Sequence, residues 1–154
     1  TLEEAAGNFR MARDAGLRVG VNLIVGFPGE RRRELEETAE FVLRHRENID
    51  IIASIACLSI LPDTMLWNAP QRYGIDPATI FAPDWKTLDG ENTLEERQWR
   101  RRWLYDTLER GGFEMSRLLA DLGPTAPPVS FARRATGKIK RTLGRAKRAL
   151  LRSR

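Results

Sequence analysis

The chain has 154 residues, 42% of them apolar and 31% charged, a composition that fits a globular protein with one core and a tail. No apolar run approaches the about 20 residues of a membrane-spanning helix, and no charged-then-apolar leader opens the sequence, so a cytoplasmic location is expected, at most peripheral at a membrane. The net charge of +5 hides a division, because residues 131–154 hold ten Lys and Arg and no acid, leaving residues 1–130 with sixteen basic against twenty-one acidic side chains.

One cysteine, Cys57, excludes an internal disulfide and a cysteine-rich metal centre within one copy of the chain. With a single histidine, His45, no Ser-His-Asp or Cys-His triad can be assembled from these residues alone. Cys57 sits in an apolar run and reads as a buried thiol. His45, between Arg44 and Arg46, reads as a cation at the end of a helix. No catalytic residue and no metal ligand is assigned.

In chain order, Leu2, Ala5, Ala6, Phe9, Ala12 and Ala15 recur at helical spacing ahead of Gly16, predicting a helix over residues 2–15. The chain opens on Thr1 with its first residues reading as the middle of a helical pattern, so it is expected to be a piece of something longer. A strand follows from Leu17 to Val25. Its alternation separates apolar Val19, Val21, Leu23 and Val25, suited to packing under helices, from Gly20, Asn22, Ile24 and Gly26, suited to a crowded lumen that leaves room for a ligand. After a Gly-Phe-Pro-Gly turn, Leu35, Thr38, Ala39 and Val42 form one stripe of a helix over about 31–46. A second β-rich run, Ile49 to Leu61, stands at the separation a βαβ crossover needs. Prolines 62, 70, 77 and 83 break the next thirty residues, with one short helical turn over Asp76–Phe81. Thr93 and Glu96 then form a capping-box pattern for a helix from Leu94 to Arg110 that stops at Gly111-Gly112. On it Trp99 and Trp103 share a face, while Arg100, Arg101 and Arg102 occupy others. This face is either ordinary core or a docking surface for an adjoining domain. A short helix over about Glu114–Leu122 and a Pro-rich linker lead to the tail.

The run Gly20-Val21-Asn22-Leu23-Ile24-Val25-Gly26-Phe27-Pro28-Gly29-Glu30 resembles the fifth barrel strand of radical S-adenosylmethionine enzymes, especially the branch with an adjoining cobalamin-binding domain. That family's motif is written G-x-I-x-G-x-x-E. Ile24 and Gly26 match its centre, Asn22 replaces the first glycine, and Glu30 follows Gly26 by four. Leu58-Ser59-Ile60-Leu61-Pro62-Asp63-Thr64-Met65-Leu66 is similar to the sixth-strand ending, with Asp63 where relatives have the glycine of Pro-Gly-Thr-Pro. Asp84-Trp85 through Asn92 and the following Thr93-Leu94-Glu95-Glu96-Arg97 resemble the next segment. The likeness covers Thr1 to about Phe113.

The resemblance implies an α/β fold, the carboxyl-terminal part of a (βα)6 TIM-like barrel with two parallel strands and flanking helices. It implies Ile24, Gly26, Ile60 and Leu61 as cofactor-binding residues on the adenine side of S-adenosylmethionine, a small-molecule substrate, a 4Fe-4S cluster that releases a 5′-deoxyadenosyl radical, and in this branch cobalamin as a further cofactor. The family's CxxxCxxC cluster motif is absent from this chain. The cluster ligands are therefore expected in a missing amino-terminal half, and this piece alone is expected to be inactive.

The expected organisation is thus 1–113 barrel portion, 114–130 short helix and linker, and 131–154 basic tail. Within the tail, Ile139, Leu143, Ala146 and Leu150 form an apolar stripe among basic residues over 138–152, which suits an anionic membrane surface. Nucleic acid is disfavoured, since Phe131 is the tail's one aromatic residue. A solvated terminus is the plain alternative. Two other readings of the whole stay open: a non-catalytic interaction or membrane-surface module with a remnant barrel, and an unrelated α/β barrel.

Overall fold

The structure, a computed structural model, describes residues 1–81 and 84–116. The short helix and linker expected beyond residue 116, and the basic stripe over 138–152, lie outside the described residues. The element order is α1 (Leu2–Asp14), β1 (Gly20–Val25), α2 (Arg32–Arg44), β2 (Ile51–Cys57), α3 (Met65–Asn68), α4 (Leu94–Arg110) and β3 (Glu114–Met115). No helix among the described residues is long and apolar enough to cross a membrane.

Each helix starts where local chemistry lets it. Thr1 is the cap of α1, its hydroxyl accepting from Glu4 N–H while Glu4 reaches back to the Thr1 amine. Thr93 caps α4 by accepting from Glu96 N–H. The expected return arm of that box is diverted, because the Glu96 carboxylate accepts from Arg100 one turn on. At the end of α2, His45 is the C-cap residue and its ring lies 4.7 Å from that of Phe41.

The strands form one all-parallel sheet in the order β1-β2-β3, with Gly20 opposite Ile51, Val25 opposite Cys57, and an irregularity between Val21 and Asn22. Parallel strands need long crossovers, and α2 and α4 supply them. The fold is therefore α/β with three strands, where two were expected. Glu114–Met115, expected as the start of a helix, is a strand instead: the turn at Gly111-Gly112 reverses the chain and Ser116 N–H donates to Ile52 O beside β2. The sheet thus continues past the expected boundary at residue 113.

The core lies on one face of the sheet. Val19, Val21, Val25, Ile52 and Ile55 meet Leu35, Ala39 and Val42 of α2 and Leu104 and Leu108 of α4, all buried. Trp99 and Trp103 pack against this cluster, so their face is at least partly ordinary core. The expected alternation in β1 holds: Val21 and Val25 are buried under helices, whereas Asn22 is exposed and Ile24 is 54% exposed on the opposite face. On that bare face Ser54 Oγ donates to Asn22 Oδ1 at 2.6 Å.

The proline-broken stretch is more ordered than expected. Ile75 bridges Thr87 antiparallel, and Ile75, Ile80 and Trp85 are almost fully buried, a small second core beneath the turns. Asp76 caps the single turn Pro77–Thr79 by accepting from Ala78 N–H.

Candidate functional site

Both long strands end at the same edge of the sheet. The backbone N–H of Leu58, just past β2, donates to Val25 O at the end of β1. Parallel α/β sheets gather their binding residues at this end, in the loops that follow the strands.

After β1 the chain makes a tight turn, with Glu30 N–H donating to Phe27 O around Pro28 and Gly29. Proline at the second position and Gly29 at φ +84° in the third are the requirements of a type II turn. Gly26 enters it at φ +87° and is locked on both sides. Its N–H donates to both oxygens of Glu30, at 3.1 and 3.2 Å, and its carbonyl accepts from Asn92 Nδ2 at 2.9 Å. Asn92 Nδ2 also donates to Phe27 O at 3.1 Å. The polar backbone of Gly26 is therefore fully used inside the protein.

Glu30 and Asn92 are themselves held by two buried arginines of α4. Arg100, 5% exposed, donates to Glu30 O and Oε1 and to Glu96 Oε1. Arg97, with no exposed surface, donates through Nη1 to Asn92 O and Oδ1 and through Nη2 to Trp85 O. Its guanidinium carbon stacks 3.9 Å from the centre of the Trp85 ring, and Trp85 Nε1 donates to Leu58 O at 3.1 Å. Burial pushes the Arg97 guanidinium below its usual value, yet an arginine stays charged. The fixed fork of donors suits such a buried, multiply shared site.

Of the four residues expected to face a cofactor, Ile24 is on the bare face at the end of β1 and Leu61 is 61% exposed in the loop after β2. Ile60 beside it is half-buried. Gly26 is different: it is buried, and the space a Cβ would take belongs to the stem of Arg97, so its missing side chain points to α4. Phe27, 51% exposed, joins the apolar surface at these strand ends. Asp63 is the one non-glycine residue with positive φ among the described residues, at +65°, and Thr64 next to it donates to Leu61 O and caps α3.

Sequence reasoning missed Asn92, Arg97 and Arg100. A signal was available, since Arg97, Arg100, Leu104 and Leu108 are spaced three, four and four apart and make one buried stripe of α4. Arginine at such positions reads as solvated, and here it is the core. Ser54 was likewise unmarked before its bond to Asn22.

A cleft of about 460 Å³ opens on the other side of the turn, lined by Glu30, Arg31, Asp89, Glu91, Asn92 and Arg100 among others. Ile24, Ile60 and Leu61 do not line it, so it is separate from the strand-end surface. Cys57 is half-buried beside Arg97 and Arg101; burial raises its thiol above the ordinary value, and the two cations pull the other way. No group of three or more His, Cys, Asp or Glu among the described residues is arranged to hold a metal ion.

Comparison with family models, with curated proteins and with solved structures gives no match to this chain.

Proposed function

We propose that this chain is the carboxyl-terminal part of a radical S-adenosylmethionine barrel and supplies part of the apolar wall against the adenosine of that cofactor. The observation that carries the reading is Ile24, a large apolar side chain 54% exposed at the carboxyl end of a parallel strand, on the face away from the helices. Parallel sheets are normally covered on both faces, so a bare one that presents Asn22, Ile24 and Ala56 suits a lumen completed by further chain. The left-handed backbone at Asp63 adds support, because the likeness has glycine at that position and glycine is the residue such a conformation favours.

The residues fit one part of the cofactor set and not another. Ile24 from β1, with Ile60 and Leu61 from the loop after β2, offers side chains to the faces and edge of a flat base. Gly26 shapes the turn and offers no free hydrogen-bonding group. A 4Fe-4S cluster needs three thiolates beside its open iron, and the chain has Cys57 alone, so the cluster ligands would come from residues outside this chain. When bound elsewhere in the intact barrel, the cluster would supply the electron that cleaves the sulfonium; the part assigned here is to hold the nucleoside and keep water from it. Cobalamin use and methyl transfer rest on the likeness to the cobalamin-associated branch.

The test is titration of methyl-labelled protein with S-adenosylmethionine. The Ile24 and Ile60 methyl resonances are expected to shift together and saturably, and Ile24→Glu to remove the response. Shifts confined to residues of the helical face, or none at all at millimolar cofactor, would overturn the reading.

A further inference from the structure

We infer that Arg97 is a positioning residue that clamps the two strand ends to each other and so sets the spacing of the wall formed by Ile24 and Leu61. The inference rests on the nucleoside-facing reading above and adds what fixes its geometry. Both ends are tied to the same guanidinium. On the β1 side, Arg97 Nη1 holds Asn92 by its carbonyl and Oδ1, which turns the Asn92 amide nitrogen onto the carbonyls of Gly26 and Phe27. On the β2 side, Nη2 holds Trp85 O and the guanidinium lies on the indole, whose Nε1 reaches Leu58 O.

Nothing about α4 alone requires this. A leucine at position 97 would continue the Leu104 and Leu108 stripe and satisfy the core. A buried arginine is retained at the expense of desolvation, and its Nε has no partner. The arrangement also explains Gly26 from the opposite direction to the sequence, because the Arg97 Cγ and Cδ occupy the place of its side chain. The strand ends, the turn and the start of α4 form one polar unit, whose outer surface carries the exposed Ile24, Phe27 and Leu61.

The test uses the whole chain and two readouts. Arg97→Met keeps the stem against Gly26 and removes the fork. Amide exchange at Gly26 and Leu58, at the clamped ends, is expected to accelerate roughly tenfold or more, while the Asp50 amide, bonded to Val19 O at the opposite end of the strands, keeps its rate. The affinity for S-adenosylmethionine should fall by about tenfold without a matching loss at Asp50, and Arg97→Lys should recover part of it. Trp85→Phe, which removes the donor to Leu58 O together with part of the ring beneath the Arg97 guanidinium, should accelerate Leu58 more than Gly26; it keeps the inference testable if Arg97→Met does not fold. Equal acceleration at Asp50, or unchanged rates at Gly26 and Leu58, would overturn the clamp and leave Arg97 a general core residue. A wild-type chain that gives no response to S-adenosylmethionine overturns the nucleoside reading, and the exchange pattern then decides the clamp by itself.

Discussion

Replacing Gly26 and Gly29 by alanine, one at a time, separates two physical effects that the turn combines. Both residues have positive φ, +87° and +84°, so both substitutions force an L-residue into a region it avoids, at about 1–3 kcal/mol. They differ in what surrounds the new methyl group. At Gly29 nothing lies within 4 Å, whereas at Gly26 the Cβ would sit 2.4 Å from both Cγ and Cδ of Arg97. That stem cannot swing aside freely, because its guanidinium is held by Asn92 and Trp85. Overpacking of this kind adds about 1–3 kcal/mol. Gly26→Ala is therefore expected to destabilise by about 2–6 kcal/mol and Gly29→Ala by about 1–3 kcal/mol. Urea denaturation followed by tryptophan fluorescence measures both midpoints, at constant slope, on the same scale. Equal costs would mean that Arg97 does not fill the space beside Gly26, and the account of that glycine would fail.

Three further outcomes follow from particular contacts. Ile55→Ala should cost about 2–5 kcal/mol, since Ile55 is 1% exposed under the helices, while Ile24→Ala should stay below about 1 kcal/mol. Comparable costs in chemical denaturation would show that the Ile24 face is packed after all. The Asp50 carboxylate accepts from Val19 N–H and pairs with Arg13, and these contacts, the backbone bond first, hold its pKa below the ordinary aspartate range. A depressed carboxyl contributes stability that is full above the unfolded value, about pH 4, and is lost as pH falls through the folded value. Carbon-detected titration of Asp50 should show that lowered midpoint, and Asp50→Asn should flatten the acid limb of the stability profile; an ordinary midpoint would refute the contact. Burial raises the Cys57 thiol, so alkylation by iodoacetamide at pH 8 should be much slower in native than in urea-unfolded chain. Equal rates would place the sulfur in open solvent.

Periodicity by itself determined the two long βα units and the phase of β1, while the cap at Thr93 and the glycine pair at 111–112 marked the start and end of α4. It did so because a strand buried under helices on one side must alternate, and Val21, Val25, Asn22 and Ile24 alternate cleanly. The Gly-Phe-Pro-Gly turn was legible too, since proline and glycine have strong backbone demands of their own. Tertiary structure alone decided the rest. Glu114–Met115 is too short to show a period, and it becomes a strand only because β2 offers Ile52 O beside it. The two buried arginines were hidden for a related reason: whether a guanidinium belongs in solvent or core depends on which carbonyls and carboxylates converge on it. Here those come from Glu30, far from α4 in sequence, and from Trp85 and Asn92 in the irregular segment just ahead of it, which has no period to announce the convergence. Gly26 shows both halves at once. The turn required a residue free to adopt positive φ, and the neighbour that fills the vacant Cβ position was fixed only when α4 packed against it.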